Sequence, residues 1–318
     1  MAELAIIIGN GFDLDLGLSS RYSDFIQNKE WKELEKTLSS FPTEEYLSHS
    51  LIRHLQKEAW QKYNWFDIEE EILKFIDDHP KCSEREIRDI ESEFKRLKKA
   101  LKDYLIRVSD GYKMDEKKLP CRFLKGLANC PKKMVEINFN YTDPQNFLPC
   151  QVFFHQDSYD QIHVHGSLSD EDIVLGCDIQ KDRGVNRNLS FMYKYNMLNR
   201  ANHVARNLLE AKEIIFYGHS VNEMDFGYFC DFFKVACAAP KPIRHLTIIT
   251  LNEKSERRIK DNIRNQGISV TDLYNNLESF VFIHTEKMYS NDSKELQKWN
   301  NLFKRISTKD IRGVKIRN

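Results

Sequence analysis

The chain has 318 residues, 41% of them hydrophobic, enough to bury a sizeable core in one or two domains. Lys plus Arg and Asp plus Glu balance at 48 each, so no net field draws nucleic acid or an anionic membrane, and neither is an expected partner. No window approaches the ~18 apolar residues of a membrane span, and the chain runs straight into a strand without a signal-peptide pattern, so a cytoplasmic protein is expected.

Leu4 to Ile8 is a short, apolar, β-branched run that predicts a buried parallel strand. Gly9-Asn10-Gly11 follows at once. A Gly-x-Gly turn between strand and helix lets backbone N–H groups approach a bound group, usually a phosphate, although a tight turn accounts for the same residues. The third small residue of the dinucleotide fingerprint is missing, since that position is Leu14. From about Tyr22 to Cys130 the texture is helical. Ser83 and Glu86 form a capping box, and Ile87, Ile90, Phe94, Leu97, Leu101, Leu105 and Val108 follow as one apolar stripe. Another helix opens near Asn64, and its first-turn acids Glu69, Glu70 and Glu71 are explained by the macrodipole without any catalytic role.

Strands return at 134–140, 151–156, 162–167, 172–176, 213–220, 245–252 and 280–284, with helical stretches at 191–211, 222–239 and 253–266. This alternation predicts an α/β, Rossmann-like, mostly parallel sheet covered on both faces. Residues 1–25 and 131–290 would form that nucleotide-binding domain, 26–130 a large helical insertion, and 291–318 a C-terminal helix and a basic tail, from Lys304 on, that is frayed or meets a partner. The seven cysteines are irregularly spaced with no C-x-x-C, which predicts scattered reduced thiols and no structural metal.

Ligands of open α/β sheets bind outside the carboxyl ends of the strands. Here those ends carry Gly9, Asn10, Gly11, Phe12 and Asp13; Asn138, Asn140, Tyr141 and Asp143; His163, His165, Gly166 and Ser167; Gly218, His219 and Ser220, with Asp225 close by; and Thr250 and Asn252. Each has a plain structural account: Asn as a turn former, His165 as a satisfied core histidine, Ser220 as a helix N-cap. Together at one edge they predict a polar pocket of nucleotide size.

The stretches "IIGNGFDLDLGLSSRYSDF", "NWFDIEEEI", "INFNYTD", "HVHGSL" and "FYGHSVNEMDFGYF" resemble, in order, the motif series of the AbiH family of bacteriophage abortive-infection proteins. More distantly, the order Gly-rich loop, Asn, His-Gly and Gly-x-Ser, each after a strand, resembles sirtuin-like NAD-binding domains, a group that includes NAD-cleaving antiphage effectors. The zinc-binding cysteine pairs of sirtuin deacylases are missing, which disfavours a deacylase, and the glycine loop has Asn10 where sirtuins carry Ala. The resemblance implies an antiphage effector that binds NAD and hydrolyses it to nicotinamide and ADP-ribose. It implies that Asn140 orients the nicotinamide ribose or the attacking water. It casts His165, with an ordinary pKa of ~6.5, as proton acceptor. Gly9, Asn10 and Gly11 would cradle the diphosphate, Gly218 and Ser220 would line the phosphate or adenosine side with His219 between them, and Asn252 would meet the adenosine ribose. Asp13 and Asp225 would fix loops or contact ribose. His163, sharing a face with His165 but one step deeper, is expected to serve folding more than chemistry. Partners would be NAD or a related nucleotide, with a second copy or a defence protein as further company. Rival readings are a nucleotide sensor without NADase activity and, from the acids of "FDLD", a metal-dependent nuclease or phosphotransferase; a dehydrogenase is disfavoured by the incomplete fingerprint.

Overall fold

A computed structural model describes residues 2–38, 44–62, 66–148, 158–170, 173–178, 184–194, 201–238 and 244–308. Six strands, β1 (Leu4–Ile8), β2 (Met134–Asn138), β3 (Tyr159–His163), β4 (Glu213–Tyr217), β5 (His245–Thr250) and β6 (Ser279–His284), make one parallel sheet in the order β3-β2-β1-β4-β5-β6. That is the doubly wound order of Rossmann-like folds, with its switch point between β1 and β4. β1, β2 and β4 are buried along their whole length. The continuous apolar run of β1 reflects cover on both faces. One face packs against Val204, Leu208, Phe229, Phe233 and Leu273, and the other against Phe12, Leu124, Trp299 and Leu302.

Three expectations need correction. β3 starts before the predicted 162–167 strand and stops at His163: Val164 N makes the last bond to β2, onto Asn138 O, and Gly166, at φ 76°, then turns the chain away. The predicted strand at 172–176 has no counterpart over 173–176, and the predicted strand at 151–156 lies outside the described residues. Ile173, Leu175 and Cys177 are buried, but against the helical insertion rather than beside a strand. The third concerns the start of the tail, whose residues 309–318 lie outside the described residues. Lys304–Ser307 belong to the helix Ser293–Ser307, which buries Trp299, Leu302 and Ile306, and Arg305 forks onto Glu213 at 2.6 and 2.7 Å.

The insertion follows its sequence closely at the helix Glu84–Ser109. Ser83 Oγ accepts from Glu86 N and the Glu86 carboxylate accepts from Ser83 N. Ile90, Phe94, Leu97, Leu101 and Leu105 are buried along the stripe, with Ile87 and Val108 half-buried at its ends. The core around them also takes in Leu189, Met192 and Tyr193 from beyond β3, so the insertion packs as one body with a later stretch of chain.

Candidate functional site

The glycine turn sits at the switch point, and its glycines are required by the fold itself. Gly9 N donates to Tyr217 O at 3.0 Å, Gly11 N to Gly218 O at 2.8 Å, and Phe12 N to Gly9 O at 2.9 Å. A Cβ on Gly9 would lie 2.7 Å from His219 Cα, and one on Gly11 2.7 Å from Gly218 Cα. The loops after β1 and β4 therefore press backbone to backbone, and only glycine fits between them. This corrects the expected cradle: the N–H groups of Gly9 and Gly11 already bond within the chain. Phe12 is corrected too. Its ring is fully buried, packs edge-on against Tyr217 at 5.0 Å and lines neither cavity of the site.

Above this turn lies a cavity of about 430 Å³. The sheet edge supplies Gly9, Asn10, Gly11, Asp13, Asn140, Thr142, His165, Gly218, His219, Ser220 and Asp225, Tyr22 joins them from just before the insertion, and the insertion closes it with Asp67, Glu69, Leu101 and Leu105. A second cavity of about 940 Å³ adjoins it, and Gly11, Leu14, Arg21, Gly218, His219, Ser220 and Arg258 border both. Asn252 borders the larger one, its Oδ1 capping the helix Glu253–Asn265 by accepting from Lys254 N and Ser255 N. Ser220 is exposed and begins no helix; its carbonyl accepts from Asn262 Nδ2.

The loop after β2 holds its own shape. Asn138 Oδ1 accepts from Asn140 N, Asn138 Nδ2 donates to Thr142 O, and Asn140 Nδ2 reaches Gly9 O at 3.2 Å. Thr142 Oγ1 donates to Asp13 Oδ2 at 2.6 Å, while Asp13 Oδ1 is buried without a hydrogen-bond partner. Burial, opposed by Thr142 and Asn140, pushes the Asp13 carboxyl up to about 7.

Deeper in stands a charged group that sequence reading missed. Lys194, 2% exposed, donates to Glu69 Oε2 at 2.8 Å and lies 3.6 Å from Asp225 Oδ1. Burial alone would lower the lysine, but Glu69 and Asp225 hold it well above its ordinary value. Burial would likewise raise Asp225, yet Lys194 and the flanking imidazoles hold it well below the carboxylate range. His219 Nδ1 accepts from Val221 N at 3.0 Å, so its neutral ring carries the proton on Nε2, 3.5 Å from Asp225 Oδ2. His165 Nε2 is buried without a hydrogen-bond partner, 3.6 Å from Asp225 Oδ1. Burial first, and then the Lys194 cation, push the His165 imidazole down to about 3, so the expected pKa near 6.5 is corrected and the ring is neutral at neutral pH. The backbone beside these rings is strained: Val221, buried and β-branched, sits at φ 51°.

Ten of the twelve residues expected at the site thus border one cavity, Asn252 borders its neighbour, and Phe12 borders neither. His163 is only half-buried at the end of edge strand β3 and lines neither cavity, so it is not the deeper partner of His165. Glu69 was hidden among acids that the helix dipole explains. Lys194 sits in a stretch that read as helix, with no local signal of burial.

A family model described as bacteriophage abortive infection AbiH matches residues 5–241. No curated protein and no solved structure matches the chain. The matched stretch begins in β1 and includes every residue named on the smaller cavity apart from Arg258. The chain therefore belongs to the AbiH family of bacteriophage abortive-infection proteins, and its role is antiphage defence by abortive infection.

Proposed function

We propose that this abortive-infection protein binds NAD at the carboxyl edge of its sheet and hydrolyses it to nicotinamide and ADP-ribose. The carrying observation is the pair of adjoining cavities at the switch point of a doubly wound sheet, with Arg21 and Arg258 at their seam and unpartnered buried polar atoms on Asp13, His165 and Asp225 in the smaller one. A dinucleotide has the matching shape: phosphates for the arginines, and a nicotinamide ribose for the enclosed end. The pyridinium is a cationic leaving group that departs through an oxocarbenium-like state. Asn140, anchored on Gly9 O, orients the ribose or the water. Neutral His165 hydrogen-bonds a ribose hydroxyl through Nε2, and the Asp225 carboxylate faces the positive charge as it moves onto the sugar.

Incubating the purified protein with NAD and separating the products by chromatography tests this. Nicotinamide is expected, with release falling ~10²-fold in Asn140→Ala and in His165→Ala. The losses should be non-additive in the double variant, since both groups act on one transition state. NAD bound without nicotinamide release would favour a nucleotide sensor. No binding of NAD or ADP-ribose would refute the reading.

A further inference from the structure

Four carboxylates border the smaller cavity, and their surroundings sort them. Asp67 Oδ1 caps the helix Ile68–Asp78 by accepting from Glu69 N and Glu70 N. Glu69 is salt-bridged to Lys194. Asp225 is hemmed by Lys194, His165 and His219. Asp13 differs from all three. One oxygen is fixed by Thr142, the other is buried with no partner, and no lysine or arginine among the described residues is paired with it. Of its two neighbours on the loop after β2, Thr142 donates a hydroxyl and Asn140 is a neutral amide. Across the helix Asn10–Leu16, Tyr112 is the ionisable side chain that feels its charge, with its hydroxyl tied to Leu16 O.

We infer that Asp13 is the proton acceptor for the water that attacks the bound nucleotide, an inference that rests on the NAD-cleaving reading above. As the water oxygen bonds to the ribose C1′, the bond from C1′ to the nicotinamide nitrogen breaks and its electron pair returns to the ring. One water proton passes to Asp13 Oδ1 and on to solvent, giving nicotinamide and ADP-ribose. Thr142 holds the first oxygen and so fixes the carboxylate at the cavity wall, which Asp13 lines. The role is open because His165, pushed down to about 3, is a weak base, Asp225 is held too acidic, and Glu69, which burial raises to about 8, is engaged by Lys194 at 2.8 Å, whereas Asp13 at about 7 has an oxygen without a hydrogen-bond partner and can both take and release a proton near neutrality.

The test uses the full chain, with nicotinamide release at saturating NAD followed from pH 5 to 9 and NAD affinity measured by calorimetry. In the wild type, kcat should rise through pH ~7 and level off as Asp13 ionises. Asp13→Asn keeps the shape and the Thr142 bond. It should hold NAD affinity within about threefold while kcat falls ~10²-fold and loses that pH dependence. Asp13→Ala leaves a gap that formate can enter, so added formate should restore part of its rate and none of that of Asp13→Asn. Near-normal kcat in Asp13→Asn overturns the inference alone. If that variant fails to fold or bind, rescue of Asp13→Ala by formate supports the inference and absence of rescue overturns it. A wild type that releases no nicotinamide overturns the NAD-cleaving reading, and this inference with it.

Discussion

Replacing Asp13 by Asn should make the protein more stable, and by an amount that depends on pH. The carboxyl is 1% exposed, and burial raises its pKa from 3.8 to about 7 in the folded chain. Between those values the native state binds more protons than the unfolded state, so stability falls as pH rises through this window and is flat above it. At about 1.4 kcal/mol for each tenfold change in proton affinity, the native state forfeits about 4 kcal/mol by pH 8. An amide of the same shape carries no charge and avoids that loss. With an unfolding entropy of ~2.1 cal/mol/K per residue across the 318 residues, the gain corresponds to about 6 °C in Tm. Melting curves of the two proteins, without nucleotide, at pH 5, 6, 7 and 8 measure it. The variant should lead by most at pH 8, and the gap should narrow steadily toward pH 5. Equal melting at pH 8, or a gap that widens on acidification, would refute the argument that a desolvated, unpartnered carboxylate is held at this site.

Gly11→Ala should destabilise the nucleotide-free protein by about 1–3 kcal/mol, read as a lower Tm, because the new methyl meets the Gly218 backbone; unchanged melting with loss of NAD binding alone would return the turn to a purely ligand-cradling role. Lys194→Met strands Glu69 and Asp225 as buried anions and should cost about 3–5 kcal/mol by urea unfolding; Lys194→Met combined with Glu69→Gln should recover part of it, and a fully additive double variant would count against the pairing. His163→Ala should change stability by less than ~1 kcal/mol and leave nicotinamide release intact, whereas His165→Ala should slow release ~10²-fold; the opposite ranking by chromatography would exchange the two imidazoles.

Much of the sheet was readable because its central strands are short runs dominated by apolar residues and followed by small or polar ones, as Leu4–Ile8 and Ile214–Tyr217 are. Runs of that kind fail as signals where a loop is buried by something other than a strand. Ile173 to Cys177 has the apolarity of a strand, but its partner is the insertion, which no local pattern reveals. At the site, Asn140, His165 and Asp225 announce themselves as polar residues placed just after apolar runs. The glycine turn was located correctly while its cause was not: the close approach is to Gly218 and His219, more than two hundred residues away in the chain. Lys194 illustrates the same limit, since its burial depends on Glu69 and Asp225 arriving from two different elements. The insertion consequently cannot be treated as separate from the pocket, for it supplies Asp67, Glu69 and Leu101 to its wall.

The strand order has a consequence for how the protein comes to exist. β1 is made first, yet it lies in the middle of the sheet, pairing Leu4 with Met134 on one side and with Glu213 on the other. At translation rates of about 5–20 residues per second, roughly 10–40 s pass before the second partner is synthesised. During that interval an apolar strand waits with open edges, a hazard for association and a natural target for a chaperone. The same delay governs the pocket: a nascent or truncated chain lacking β4 has neither the Gly218 loop nor Asp225, so the cavity at the switch point is assembled only once the second half of the sheet has been made.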